Sequence, residues 1–177
     1  MITCGIFFVM LTKAKVKTCL GLSIASLLFS LASPLYAENP DHVARLKKTK
    51  QCPGCDLSGS DLSRLSLKNA NLKGANLRSA DLTRSNFLQA DTEGANLTGA
   101  TLDGVNLIGA NLKNAKLNSA SLDDAKLMDA NLTGASLANA FIRYLNLTGA
   151  NINGVDFNGA RRCRQVIAPD GSEGIRC

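Results

Sequence analysis

A five-residue period dominates the chain and runs from Cys55 to Gly159 without an insertion or a deletion. In most units a small residue is followed by a polar one, usually Asp or Asn, then by a large apolar residue and two mostly polar residues. A strict period kept over 21 consecutive units is typical of a solenoid, in which each repeat stacks on its neighbours. The central residues of the units are Leu57, Leu62, Leu67, Leu72, Leu77, Leu82, Phe87, Thr92, Leu97, Leu102, Leu107, Leu112, Leu117, Leu122, Leu127, Leu132, Leu137, Ile142, Leu147, Ile152 and Phe157.

A spacing of five residues matches neither the 3.6-residue period of an amphipathic helix nor the two-residue alternation of a simple strand. The central residue and the small residue two positions before it point to the same side of an extended segment. The chain must then turn before the next inward pair, and glycine is frequent two residues after the centre, as at Gly94, Gly99 and Gly104. Each unit therefore predicts a short extended edge and a corner, and successive corners predict an all-β coil with a square cross-section.

The repeat resembles the pentapeptide-repeat family, whose motif is A(D/N)LXX. Residues 75–79 (Ala-Asn-Leu-Arg-Ser) and 110–114 (Ala-Asn-Leu-Lys-Asn) match this motif outright, and the resemblance covers 105 of the 177 residues. It implies an all-β, right-handed quadrilateral β-helix with four pentapeptides in each coil. The chain would then form about five coils and, at a strand spacing of roughly 4.8 Å, a rod about 25 Å long.

The sequence predicts four segments. Residues 1–37 contain a basic stretch, an apolar run and small residues, which is typical of a secretory signal peptide, and the run is too short for a confident membrane span. Residues 38–54 predict an N-terminal cap helix and turn, residues 55–160 the pentapeptide-repeat β-helix, and residues 161–177 a C-terminal cap segment. Because signal-bearing members of the family are abundant in cyanobacteria, the resemblance implies export to the periplasm or the thylakoid lumen.

The cap helix has clear start signals. Residues 39–41 (Asn-Pro-Asp) supply an N-cap, a proline for the first turn and an acid near the positive end of the helix dipole. We expect the helix to end near Lys50 and to place Val43 and Leu46 on one face. It would cover the first coil, since an open β-helix end invites end-to-end growth. The only histidine, His42, is interpreted as an exposed helix residue rather than a ligand.

Four cysteines follow the predicted signal peptide: Cys52, Cys55, Cys163 and Cys177. An oxidising compartment favours disulfides. On the rod length that the resemblance implies, the first two cysteines lie about 25 Å from the last two, well beyond the Cα separation of about 7 Å that a disulfide allows. We therefore expect the pairs Cys52–Cys55 and Cys163–Cys177 and no four-cysteine zinc site.

The Cys-x-x-Cys spacing at Cys52 and Cys55 is also typical of thiol–disulfide enzymes. That chemistry relies on a thiol whose pKa is lowered, often by the N-terminus of a helix that follows the first cysteine. Here a turn and a β-coil are predicted to follow, so a structural pair is the favoured interpretation and a redox site the alternative.

One outer column suggests a partner face. With four units to a coil, residues 20 apart stack in successive coils, and Leu88, Ile108 and Met128 then form an apolar row at a nominally exposed position. A contiguous apolar row can mark a docking surface, here for a partner protein or a second copy of the chain. The alternative interpretation is chance at tolerant surface positions.

Polar residues occupy two notable sets of positions in the repeat. Thr92 occupies a central position, so its hydroxyl must bond a backbone group or cost about 1–3 kcal/mol. On one face of the coil the residue directly before each central residue is polar. These residues stack in successive coils, which predicts hydrogen bonds between their side chains along the rod axis. The column consists of Asn71, Asp91, Asn111, Asn131 and Asn151.

Two charged clusters remain. Asp123, Asp124 and Asp129 form an acidic corner that is interpreted as a solvated face rather than a metal site, because the calcium-binding nonapeptide spacing is absent. The three arginines between positions 161 and 164 are interpreted as solvated cap residues, with an anion or phosphate surface as the alternative.

No catalytic set is visible in the repeat. The chain has one histidine and carries no nucleophile elbow and no Gly-rich phosphate loop, so we expect no enzyme activity and no cofactor. After signal cleavage 17 basic and 14 acidic residues give a net charge of +3, which does not indicate a nucleic-acid partner. The sequence therefore predicts an exported scaffold or protein-binding module. A luminal redox protein is the first alternative, and a DNA-mimicking gyrase-protecting protein is the second; the latter requires an acidic rod.

Overall fold

The computed structural model describes residues 39–172. All of these residues belong to one compact unit of the chain. The predicted signal peptide, residues 1–37, lies outside the described residues. Between residues 39 and 172 no helix has the length and apolar content needed to cross a membrane.

Helix α1 spans Pro40–Thr49 and starts where the sequence predicts. The side chain of Asn39 accepts a hydrogen bond from the backbone N–H of His42 at 3.3 Å, which satisfies one of the free donors of the first turn. At the other end Lys50 adopts a left-handed conformation and donates its backbone N–H to the carbonyl of Leu46 at 2.9 Å. Both ends of the helix are therefore capped by the chain itself.

The helix packs on the beginning of the coil. Val43 and Leu46 are buried in the same apolar cluster as the leucines of the repeat. His42 is half-buried, and its Nδ1 accepts the backbone N–H of Asp56 at 3.1 Å. The interpretation of His42 as an exposed helix residue missed this contact, because the partner lies 14 residues further along the chain.

Parallel pairing between residues 20 apart forms the framework of the coil. The paired positions run from Gln51 with Asn71 to Ser136 with Asp156, so four pentapeptides complete one turn of the chain. Across such a step the backbone N–H of Asn71 donates to the carbonyl of Lys50 at 2.8 Å. Most pairings involve a single residue because a corner follows each short extended edge.

The side chains of the repeat fill the inside of the coil. From Leu57 to Leu147 every central residue is at most 2% exposed, and from Ala70 to Ala140 every small residue two positions earlier is at most 1% exposed. Towards the end of the repeat Ile152 and Phe157 are only partly buried. The inward pairs predicted from the five-residue period are thus the core of the described residues.

The corners share one backbone conformation. Every residue two positions after a centre, from Gly54 to Gly159, has a left-handed φ between 55° and 72°. Glycine adopts this region without penalty, whereas other residues such as Arg84 and Gln89, both at φ 55°, pay of order 1 kcal/mol each. The frequent glycines at this position follow from that requirement.

The predicted roles of the polar positions are confirmed for Thr92 and revised for the amide column. The Thr92 hydroxyl donates to the carbonyl of Asn111 at 3.0 Å. One axial bond does join the column, from Asn111 Nδ2 to Asp91 Oδ1 at 3.0 Å. The contact that recurs along the chain is local, however: Asn71 Oδ1 accepts the backbone N–H of Lys73 at 3.2 Å. This Asx turn explains the preference for Asp or Asn before the centre.

The coil continues past the last pentapeptide with one extra residue. Strands β1 (Phe141–Arg143) and β2 (Arg161–Arg164) pair in parallel, first at a spacing of 20 residues and then at 21. Arg162, inside β2, has a left-handed φ of 62°, as bulge residues often have. Asn146 then pairs with Ile167 at the shifted spacing. The sequence period ends at Gly159, but backbone pairing does not depend on the motif and extends further.

Replacing a central leucine should open a cavity that the stacked coils cannot close. Leu112 is fully buried, and we expect Leu112→Ala to lower the free energy of unfolding by about 2–5 kcal/mol. The neighbouring Lys113 is exposed, so Lys113→Ala should change the free energy by less than about 0.5 kcal/mol. Urea unfolding of both variants checks this, and equal effects would contradict the filled interior.

The Asx turns should also make the fold sensitive to acid. Hydrogen bonds from the Ser58 side chain and backbone hold the pKa of Asp56 below its ordinary value of 3.8, and Ser63 lowers the pKa of Asp61 in the same way. The stability from these carboxylates is fully present above about pH 3.8 and is lost as the pH falls through their lowered folded pKa values.

The double variant Asp56→Asn with Asp61→Asn keeps both acceptor oxygens but cannot be protonated in this range. We expect its Tm to fall less than that of the wild-type chain between about pH 5 and about pH 2.5. Thermal melts followed by circular dichroism provide the measurement. An identical acid-induced fall in the two proteins would show that these turns do not carry the pH dependence.

Candidate interaction surfaces

The inward side chains of the repeat are buried, so the accessible side chains of residues 55–160 lie mainly on the outer faces of the coil. Each unit presents the residue before its centre and the two residues after it, and these positions repeat every 20 residues on the same face. Among residues 39–172 no group of three or more His, Cys, Asp or Glu side chains is arranged to hold a metal ion.

The predicted partner face lies in one column. Leu88, Ile108 and Met128 occupy equivalent positions in successive coils. The backbone N–H of Gln89 donates to the carbonyl of Ile108 at 2.9 Å, and Gly109 donates to Met128 in the same way at 2.9 Å. All three side chains are partly exposed rather than fully exposed, so the row is a shallow apolar stripe.

Polar side chains support the backbone beneath this stripe. The Oδ1 atoms of Asn86 and Asn106 accept the backbone N–H groups of Leu88 and Ile108 at 3.1 and 3.2 Å. The side chains of Asn86 and Asn106 therefore stay bonded to the backbone, beside the partly exposed side chains of Leu88 and Ile108. The Asx turns that recur along the chain therefore support the backbone at Leu88 and Ile108, whereas the corresponding position before Met128 is Lys126.

The acidic corner is split between two faces. Asp123 Oδ2 accepts a charged hydrogen bond from Arg143 at 2.7 Å, while its buried Oδ1 has no hydrogen-bond partner among the described residues. Asp103 Oδ1 accepts the hydroxyl of Ser121 at 2.5 Å. Asp124 lines the same groove of about 570 Å³ as Asp123. The neighbouring basic residues of this groove were not identified from the sequence, because they come from other coils.

Asp129 lies in a different column from the other two acids, next to the corner at Gly149. A Cβ at Gly149 would collide with Asp129 Oδ1, so a larger residue there would require the Asp129 side chain to move, and glycine adopts the φ of 72° without penalty. The three aspartates therefore do not form one cluster.

Cys52 and Cys55 form a disulfide with a Cα–Cα distance of 5.3 Å. The residues are 0% and 2% exposed, so a substrate thiol has no open path to the bond. Cys163 is also disulfide-bonded, and Cys177, its predicted partner, lies outside the described residues.

Arginines near the end of the repeat lie close to aromatic rings. The guanidinium carbons of Arg161 and Arg162 lie 5.9 and 5.6 Å from the centre of the Phe141 ring, within cation–π range. Arg143 lies 5.6 Å from the ring centre of Tyr144, which is 48% exposed. Arg162 and Arg164 line a separate concavity with Arg143.

A coil of stacked five-residue units with parallel pairing every 20 residues places the chain among the β-solenoid proteins. The chain belongs to the pentapeptide repeat family: the family model for pentapeptide repeats (8 copies) matches residues 52–89, 95–134 and 125–161. Proteins of this family form right-handed quadrilateral β-helices, which confirms the predicted β-helix fold.

Several solved structures are similar to this chain. HetL from the cyanobacterium Nostoc sp. strain PCC 7120, a pentapeptide repeat protein involved in heterocyst differentiation regulation, is 30% identical with a TM-score of 0.57. The alignment covers 70% of this chain and 66% of HetL, just under two thirds of that protein. The Nostoc protein alr5209 is 26% identical with a TM-score of 0.50, over 56% of this chain and 81% of its own.

A pentapeptide repeat protein from the Arabidopsis thaliana thylakoid lumen is 33% identical over 61% of this chain and 69% of its own, with a TM-score of 0.28. No curated protein matches the chain.

The buried disulfide should act on stability and not on substrates. Closing so short a loop contributes about 2 kcal/mol, so Cys52→Ala with Cys55→Ala should lower the free energy of unfolding by about that amount. The wild-type protein should not accelerate insulin reduction by dithiothreitol. Turnover in that assay, lost in the double variant, would instead support the redox alternative.

Proposed function

We propose that the protein is a non-enzymatic, exported scaffold that binds another protein through the outer faces of its coil. The filled interior carries this proposal: central and small residues are at most 2% exposed through most of the repeat, which leaves no internal pocket among them for a substrate. Catalysis generally needs a concave site that excludes water and holds several convergent polar groups.

Segments at both ends of the coil are consistent with a scaffold that does not grow end to end. We propose about five coils, closed at the start by helix α1 and at the other end by the segment after residue 160. Val43 and Leu46 cover the first coil, and the bond between His42 and Asp56 fixes the helix in place. A covered end removes the free backbone groups that would otherwise pair with another molecule.

The apolar stripe of Leu88, Ile108 and Met128 is the proposed contact with the partner protein. Its three side chains follow one another across three coils without an intervening polar residue in the column. Lys68 precedes the stripe and Thr148 follows it, so an apolar centre has polar ends. Protein interfaces commonly combine an apolar centre with a polar rim.

Export to the periplasm or the thylakoid lumen is part of the proposal. It rests on the signal-like residues 1–37 and on the Cys52–Cys55 disulfide, since stable disulfides are favoured outside the reducing cytoplasm. Burial of both cysteines weighs against the redox alternative. Gyrase protection by DNA mimicry is disfavoured by the arginines on the outer surface, because a DNA mimic needs a continuous acidic face.

The triple variant Leu88→Ser, Ile108→Ser and Met128→Ser should abolish binding of the partner protein. The substitutions remove apolar contact area without touching the core, so the melting temperature should change by only about 1–3 °C. In-cell crosslinking of the exported protein, followed by mass spectrometry of the attached chains, provides the measurement.

A matched control substitutes Thr98→Ser, Asn118→Ser and Ala138→Ser, which occupy the same place in the pentapeptide on the opposite face. The control should retain the crosslinked partner. If both triple variants retain the partner, the stripe is not the contact. Crosslinks only between copies of the chain, lost in the stripe variant, would identify a homodimer instead.

A further inference from the structure

We propose that Arg143, Arg162 and Arg164 form a binding site for a phosphate group. The side chains of these three arginines line one surface concavity of about 350 Å³, beside the paired strands β1 and β2. This site is separate from the apolar stripe and does not depend on the proposed scaffold function.

The bulge in β2 creates the site. In the regular 20-residue register Arg143 would pair with Cys163, but the extra residue brings Arg164 opposite Arg143 instead. Like charges directly opposite each other in a ladder are destabilising. The bulge therefore places two positive side chains where a bound anion would offset their repulsion.

Aromatic rings hold two of the guanidinium groups. Arg162 lies 5.6 Å from the ring centre of Phe141, and Arg143 lies 5.6 Å from that of Tyr144. Contact with a ring face restricts a guanidinium group but leaves the N–H donors along its edge available. A site whose donors are already positioned loses less conformational entropy on binding.

The charge balance favours an anionic ligand. Between residues 39 and 172 the only ion pair of the three arginines joins Arg143 to Asp123, and it uses one of the three guanidinium nitrogens of Arg143. Arg162 and Arg164 form no ion pair with any described residue. No acidic side chain lines the concavity.

The number of arginines favours phosphate over a carboxylate. A carboxylate offers two oxygens and one charge, which one arginine can satisfy, as in the pair of Arg143 with Asp123. A phosphate group offers three terminal oxygens and a charge of about −1.5 to −2, which suits several guanidinium groups at once. The source of the group is either a soluble phosphate compound or the headgroup of an anionic lipid.

The test measures binding of two probes to the folded chain. Inorganic phosphate is titrated by calorimetry, and the protein is sedimented with phosphatidylcholine vesicles in which about one lipid in five is phosphatidic acid. The variant Arg162→Gln with Arg164→Gln removes two donors at the site. Glutamine suits this backbone, since Gln89 and Gln165 already adopt φ of 55° and 52°.

A matched control, Arg64→Gln with Arg84→Gln, removes the same charge from exposed corners of the same face, outside the concavity. We expect the site variant to weaken binding about tenfold or more and the control to leave it unchanged. The conservative variant Arg162→Lys with Arg164→Lys keeps the charge but lacks the planar fork, and should bind with intermediate affinity.

Binding of inorganic phosphate assigns a soluble ligand, and binding of the vesicles alone assigns a lipid headgroup; either supports the site. Three results overturn it: no saturable binding of either probe, equal weakening in the site and control variants, or binding of a glutamate-rich peptide that phosphate does not displace.

Discussion

Hydrogen bonding between coils is the constraint on which the rest of the structure depends. Each extended edge exchanges hydrogen bonds with both neighbouring coils: the backbone N–H of Asn71 donates to the carbonyl of Lys50 at 2.8 Å, and that of Leu72 donates to the carbonyl of Asp91 on the other side at 2.7 Å. An insertion inside the repeat would shift every later unit relative to the coil beneath it and move inward side chains to the outside. The one register shift among the described residues lies in the pairing of β1 with β2, after the last pentapeptide.

The same arrangement restricts the interior to two sizes of side chain. Each extended edge contributes one large central residue and one small residue to the interior and leaves little space, and the buried polar exceptions bond to nearby carbonyls. The hydroxyls of Ser60 and Ser85 each donate at 2.6 Å to the carbonyl of the central residue three positions earlier. Because these hydroxyls are satisfied locally, they replace alanine at little cost. The inward side chains therefore stabilise the fold, whereas the outward side chains can vary in residue type without disturbing it.

Function on such a scaffold is set by what stacks across coils. Residues far apart in sequence become neighbours at the strand spacing, so three single residues such as Leu88, Ile108 and Met128 become one stripe. Most of this could be predicted once the 20-residue step was assumed. The arginine concavity could not, because it depends on an extra residue after the repeat, and nothing in the motif determines where a bulge places Arg164.

The sequence by itself determined the period, the inward leucines, the corner positions and the start of helix α1, because each of these depends on local side-chain size and backbone preference. Only the tertiary structure decided the contact of His42 with Asp56, the ion pair of Arg143 with Asp123, and the pairing of Arg143 with Arg164. These contacts join residues from different coils or from the helix and the coil. Their geometry follows from the register of the whole ladder rather than from any short stretch of chain.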